Sequence, residues 1–196
     1  MRKILMTFAV LFAASSAQAW EAYGPVYVDA IIPVPVWGDE TTDLSDCDGV
    51  SEYTVTGKRG YGVWNQVSGS KFRWSIGGWN GPFGSGGDGY NSIRFKEIPD
   101  GGVLGQTSYM MYGPGNAYRD ADMQIDLNQN WACGPANPSW RQIDLQSVIC
   151  HEAGHKLGLG HSSYSGATMF WAIGQGENKR VLHFDDQNGV KALYPN

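Results

Sequence analysis

The chain has 196 residues, a net charge of −5, 17% charged and 13% aromatic residues, and 27 glycines. The acidic balance argues against a nucleic-acid partner. Eight tryptophans and ten tyrosines exclude a disordered chain, which could not keep so much apolar surface in water; nothing in the composition assigns an oligomeric state.

Residues 1–19, MRKILMTFAVLFAASSAQA, read as a secretory signal peptide. Arg2 and Lys3 form its basic start, Ile4 to Ala14 its apolar run, and Ala17-Gln18-Ala19 its small-residue cleavage site. The apolar run is too short to span a bilayer, and no later segment is long enough. The product is therefore expected to be secreted, to the periplasm or the medium. Cleavage removes two positive charges and no negative one, so −5 becomes −7. A short segment, 20–33, then leads into a single domain expected over 34–196.

IPVPVWGD (32–39) is expected as an edge strand, because Pro33 and Pro35 cannot donate ladder hydrogen bonds. From Val50 to Val67 the spacing of Val50, Tyr53, Tyr61 and Trp64 is helical, but glycines and β-branched residues weaken it and leave both readings open. KFRWSIGG (71–78) and NSIRFKEI (91–98) alternate as strands, with a glycine-rich loop between them. GVLGQTSYMM (102–111) and ADMQIDLN (121–128) follow as strands, and WACGPANPSW as a turn-rich loop. DLQSVICHEAGHKLG (144–158) predicts a helix with Asp144 as N-cap. Its Leu145, Val148, Ile149, Glu152 and Lys156 are spaced for one apolar and one functional side. FDDQNGVKALY (184–194) predicts a short C-terminal helix. Strands come first and the main helices late, an α+β order.

The chemistry concentrates in HEAGHKLGLGH, residues 151–161, which holds three of the four histidines. On a helix His151 and His155 share a face, about 6 Å apart along the axis. Two imidazoles so placed grip one ion, and zinc prefers such nitrogen ligands. Glu152 then points beside the metal, where it can act as general base toward a water that the ion acidifies. A continuing helix would carry His161 to another face. Gly158 can adopt left-handed angles and turn the chain, swinging His161 back to the same ion. Three protein nitrogens and an open fourth position make a catalytic rather than a structural site.

H-E-x-x-H-x-x-G-x-x-H resembles the metzincin zinc endopeptidases. Their methionine turn would be Met169, eight residues past His161. DLQSVICHEAGHKLGLGHSS, ATM and DDQNGVKALYP are similar to the matrixin branch, and the leader has a bacterial style. The likeness runs from about residue 34 to 196 and is strong from 121 onward. It implies a twisted, mainly parallel five-stranded sheet with one antiparallel edge strand, packed on the active-site helix. It further implies a peptide substrate along that edge, beside Val103 to Tyr109, with Val103, Leu104, Gly105 and Gln106 as cleft residues, bound by strand addition. Phe170 and Trp171 would wall the specificity pocket, and the first of Asp185 and Asp186 would anchor something near the site.

Three departures from the family stand out. Its second, structural zinc is expected to be absent, because only His183 lies outside the motif and Gln106 stands where the strand would offer a histidine. One catalytic Zn2+ is therefore expected. Calcium has candidate ligands in Asp88, Asp100 and Asp122, against which stands the reading of solvated loop carboxylates. Little room exists for a propeptide. Cys47, in SDCDG, is a candidate zinc-blocking thiol, although bridging is the commoner fate of an exported cysteine. Cys133 and Cys150 are expected to bridge, closing a loop of 17 residues worth on the order of 3 kcal/mol; Cys47 is the competing partner.

The residues thus predict a secreted zinc-dependent endopeptidase with ligands His151, His155 and His161 and base Glu152. Two alternatives begin from the same residues. One is a secreted zinc-containing binding protein whose aromatic-rich loops grip a partner; a structural site would have no use for Glu152. The other is a zinc hydrolase acting on a non-peptide.

Overall fold

The computed structural model describes residues 20–22, 27, 32–38, 59–77, 87–99, 101–112 and 117–196. The leader 1–19, residues 50–58, Cys47 and Asp100 lie outside these. Five strands form one sheet: β1 (Val34–Gly38), β2 (Trp74–Ile76), β3 (Ser92–Lys96), β4 (Gly105–Tyr112) and β5 (Ala117–Asp126). Their order is β2-β1-β3-β5-β4, and every pairing is parallel except that of β4 with β5. The single antiparallel strand is therefore an edge, as expected. A smaller parallel pair joins β6 (Trp131–Ala132), the first two residues of the segment read as a turn-rich loop, to β7 (Ile143–Asp144), which follows it.

Strand β1 is not an edge. It lies between β2 and β3. The prolines fit because the missing N–H falls where no partner needs it. The amide of Val34 donates to Arg73 O on the β2 side, and that of Trp37 donates to Asn91 O on the β3 side. Pro35 faces β3 before that ladder begins, at Trp37 opposite Ser92. Its carbonyl accepts instead from the Asn91 side chain, at 3.2 Å.

Helix α1 (Leu145–Lys156) packs on β4 and β5, and α2 (Phe184–Leu193) closes the chain. Val34, Val36, Ile93, Met123 and Ile125 from the sheet share one core with Leu145, Ile149, Ala153 and Leu157 of the helix. α1 is buried on almost every side, more than an apolar stripe demands. Trp64, in a 3-10 turn (Trp64–Gln66), lies fully buried and donates its indole N–H to Cys150 O at 3.0 Å. Tyr194 O–H donates to Leu157 O at 2.7 Å and so holds the end of α1. The segment before β1 also packs inward: Tyr27 is buried and donates to Asn91 Oδ1, and Ala22 bridges Leu159. No helix among the described residues is long and apolar enough to cross a membrane.

Candidate metal centre

Asp144 starts the helix that carries the site. Its carboxylate accepts from Ser147 N at 2.8 Å, the N-cap expected, and pairs with Arg180. Arg180 also donates to Pro135 O and Ala136 O, so one guanidinium joins the loop before the helix, the helix start and the loop before α2. After Lys156 the helix stops. Gly158 has φ 107, a left-handed conformation that costs a β-carbon dearly, and Gly158 N donates to His155 O at 2.9 Å. The turn returns His161 to the other two histidines.

The ring centroids of His151, His155 and His161 stand 4.6, 4.9 and 5.3 Å apart in their three pairings. One ligand atom of each lies within 4.8 Å of the others, a cluster able to hold a metal ion. Two tautomers follow from geometry. His151 Nδ1 lies 2.8 Å from Thr168 O, and His155 Nδ1 lies 2.8 Å from Leu159 O. Carbonyls only accept, so each Nδ1 carries the proton and each Nε2 keeps its lone pair for a metal. Burial pushes His151 down to about 3 and His155 to about 4, and it also lowers His161. Protons compete for the first two rings only as the pH nears about 4. The donor set, three clustered imidazoles of which His151 and His155 are oriented by carbonyls, fits zinc.

Glu152 is buried beside this cluster. Burial raises its carboxyl pKa, against the opposing pull of His151, the Thr107 hydroxyl and Lys156. A raised carboxylate is a better base near neutral pH. Lys156, one turn on, is fully buried, which its place on the predicted functional side did not foretell. Its ammonium donates to Ser92 O at 3.1 Å, and Ser92 N and Oγ both donate to Asp122 Oδ1. Burial pushes Lys156 down to about 7, with Asp122, Asp120 and Glu152 pulling the other way. Asp122, a calcium candidate by sequence, thus belongs to a buried network in β5. Asp88 lies on an exposed turn and accepts from Tyr90 N at 2.9 Å.

Met169 lies fully buried beneath α1. Its N–H donates to Asp186 Oδ1 at 3.0 Å and its carbonyl accepts from Ser162 N at 2.8 Å. Asp186 also accepts from Thr168 N and His183 N, while Asp185 accepts from Ser162 Oγ at 2.6 Å. Both acids thus tie the start of α2 to the turn under the metal cluster, and Asp186 carries more of that bond set than the first acid. Thr168 O, in the same turn, orients His151. His183 caps α2.

In β4, Gly105 and Thr107 face α1, whereas Gln106 points away and donates to Gln124 Oε1 at 2.6 Å. Val103 and Leu104 precede the strand, and Leu104 O accepts from Asp126 N of β5. Phe170 is half-buried next to Met169, and Trp171 is exposed. Thr107 lies within the edge strand expected from the sequence, but no role of its own is legible there. Alternation along GQTSY marks Gly105, Thr107 and Tyr109 as one face, but only the fold shows that this face meets Glu152.

The expected Cys133–Cys150 bridge does not form: Cys150 is a free, fully buried thiol. Ala132 pairs with Asp144, which keeps Cys133 near the start of α1. Cys150 rides six helical residues farther on, about 9 Å along the axis and into the core.

A family model of the matrixins, peptidase family M10, matches residues 84–195, more than half of the chain. The chain is a matrixin. Metalloendoproteinase 2-MMP of Arabidopsis thaliana is 31% identical to it over 149 residues, 69% of this matrixin and 35% of the relative. Metalloendoproteinase 5-MMP of the same plant is 41% identical over 78 residues, 37% of this chain and 22% of its own. Human Matrix metalloproteinase-19 is 36% identical over 88 residues, 42% and 16% of the two chains. This matrixin therefore matches about a third or less of the length of these relatives. The matched stretch includes the metal cluster, Glu152, Met169 and both helices.

Proposed function

We propose that this matrixin is a zinc-dependent endopeptidase. One observation carries the reading: a left-handed turn at Gly158 brings His161 to His151 and His155, with a buried carboxylate, Glu152, alongside. His151, His155 and His161 would hold the zinc. When bound, the ion lowers the pKa of a water and polarises the scissile carbonyl. Glu152 takes the proton from the attacking water and returns it to the leaving amine. Thr168 O and Leu159 O keep His151 and His155 in the tautomer that can ligate. Among the described residues β4 pairs only with β5, so a peptide in extended form can add along its outer edge. Phe170 and Trp171, just past Met169 in the chain, would border the pocket for its side chain.

A chelator is expected to abolish cleavage of a mixed peptide library read by mass spectrometry, and excess zinc to restore it. Zinc binding should weaken in acid at a lower pH than free imidazole would give, since burial lowers all three ligand rings, and dialysis over a series of falling pH values with zinc analysis checks it. Library peptides still cut after complete zinc removal would refute the reading.

We further propose that residues 1–19 are a leader removed on export, and that Cys133 bridges Cys47. The bridge rests on Cys150 being a free, buried thiol, which leaves Cys47 as the partner for Cys133 among the three cysteines. It would also remove Cys47 as a zinc-blocking thiolate. The bacterial affiliation rests on the style of the leader alone, as the relatives above are plant and human proteins. A non-reducing peptide map of protein recovered from outside the producing cell should start at Trp20 and contain a Cys47–Cys133 cross-link. A chain starting at Met1, or a map with Cys47 unlinked, would overturn the respective part.

A further inference from the structure

We propose that Thr107 is the positioning residue of Glu152: its hydroxyl holds carboxylate oxygen Oε2 and so leaves Oε1 to receive the proton. The inference rests on the endopeptidase reading, with Glu152 as base. Three observations support it. First, Thr107 Oγ1 lies 2.7 Å from Glu152 Oε2, with the main-chain Glu152 O a second acceptor at 3.2 Å. A hydroxyl has one proton, and the nearer, charged oxygen is the stronger acceptor. Secondly, the same strand also comes close to the other carboxylate oxygen, Oε1. A β-carbon on Gly105 would stand 3.0 Å from Glu152 Cγ and 3.2 Å from Oε1. The carboxylate therefore lies against both the bare backbone at Gly105 and the hydroxyl two residues on. Thirdly, the contact belongs to a built interface, because Tyr109, next on that face, donates its O–H to His155 O at 3.1 Å.

The physical need is entropic. A glutamate side chain has three torsions, and a base must meet its proton at hydrogen-bond distance. Threonine suits the task because branching at Cβ restricts χ1, so the hydroxyl is itself preset on the strand. Its role is orientation, not contact with substrate.

The test compares kcat, KM, zinc content and melting temperature for the wild-type protein, Thr107→Val, Thr107→Ser and Glu152→Gln, on one peptide drawn from the library. Valine keeps the shape and loses the hydroxyl. Thr107→Val should lose about 10–100-fold in kcat, with KM, zinc and melting temperature near wild type. Thr107→Ser should recover kcat to within about threefold. In a Glu152→Gln background, Thr107→Val should cost nothing further, since no base remains to be aimed. An undiminished kcat in Thr107→Val, a loss confined to KM, a serine variant as slow as valine, or a full further loss on Glu152→Gln would each overturn the proposal. Should valine melt early or shed zinc, serine and Thr107→Ala decide by the same split: serine fast and alanine slow in kcat alone uphold it, and equal rates overturn it. Failure of the underlying reading looks different. There the wild-type protein cuts no peptide, or Glu152→Gln cuts at the wild-type rate.

Discussion

Glu152→Gln is expected to lose about 10²–10⁴-fold in kcat, the usual contribution of a general base, while retaining zinc and fold. The substitution keeps shape and volume, and the amide oxygen can still accept from Thr107 Oγ1, now 2.7 Å from Oε2. The amide nitrogen cannot take a proton from water. The metal cluster should be indifferent, because the two Nδ1 protons of His151 and His155 go to Thr168 O and Leu159 O, not to Glu152. Burial of Glu152 also works in the variant's favour as a fold: replacing a buried carboxylate by a neutral isostere removes a desolvation cost. Zinc per chain and steady-state hydrolysis, measured on the same preparation, check both halves. Wild-type turnover in a zinc-loaded Glu152→Gln protein would remove Glu152 from the mechanism.

The second large effect is structural. Gly154→Ala should destabilise the protein by about 2 kcal/mol and weaken its hold on zinc. In an exposed helix the same change would gain up to about 1 kcal/mol from propensity. Here the added methyl would overlap Met169 Sδ and stand 2.7 Å from Trp64 Cζ2. Neither neighbour can move out into solvent, because both are fully buried. Trp64 is held by its indole bond to Cys150 O, and the backbone of Met169 by Asp186 and Ser162, so only the Met169 thioether can turn, and only within the core. Overpacking of this kind costs typically 1–3 kcal/mol, which exceeds the helical gain. The relief available is to lift α1 off the turn, and that would stretch the bond between His151 Nδ1 and Thr168 O. Urea unfolding of the zinc-free protein, with chelator competition for the loaded form, reads the two consequences separately. An alanine variant as stable as wild type would mean that α1 and the methionine turn are not packed this closely.

The site and its scaffold differ in how far they could be read in advance. His151, Glu152 and His155 are set by one helical repeat, Asp144 by the need to cap it, and His161 by one glycine at φ 107. Each depends on residues within about a dozen positions, so its pattern is local and visible. The strand segments β2 to β5 and the C-terminal helix were visible for the same reason. Their neighbours were not. Two prolines suggested an edge for β1, yet the ladder on that side begins two residues after Pro35. Cys133 and Cys150 are close along the chain but do not bridge, because α1 carries Cys150 into the core.

What the sequence determined by itself was the chemistry: three imidazoles, a carboxylate, a turn, and the family these define. Only the tertiary structure decided what surrounds them. It buried Lys156 against Ser92 and Asp122, gave Asp186 the backbone amides of the methionine turn, and set Thr107 on the Glu152 carboxylate. Those partners lie between 17 and 64 residues apart along the chain. Periodicity says which side chains share a face of one element, but which faces meet is settled by packing the whole sheet against the helix.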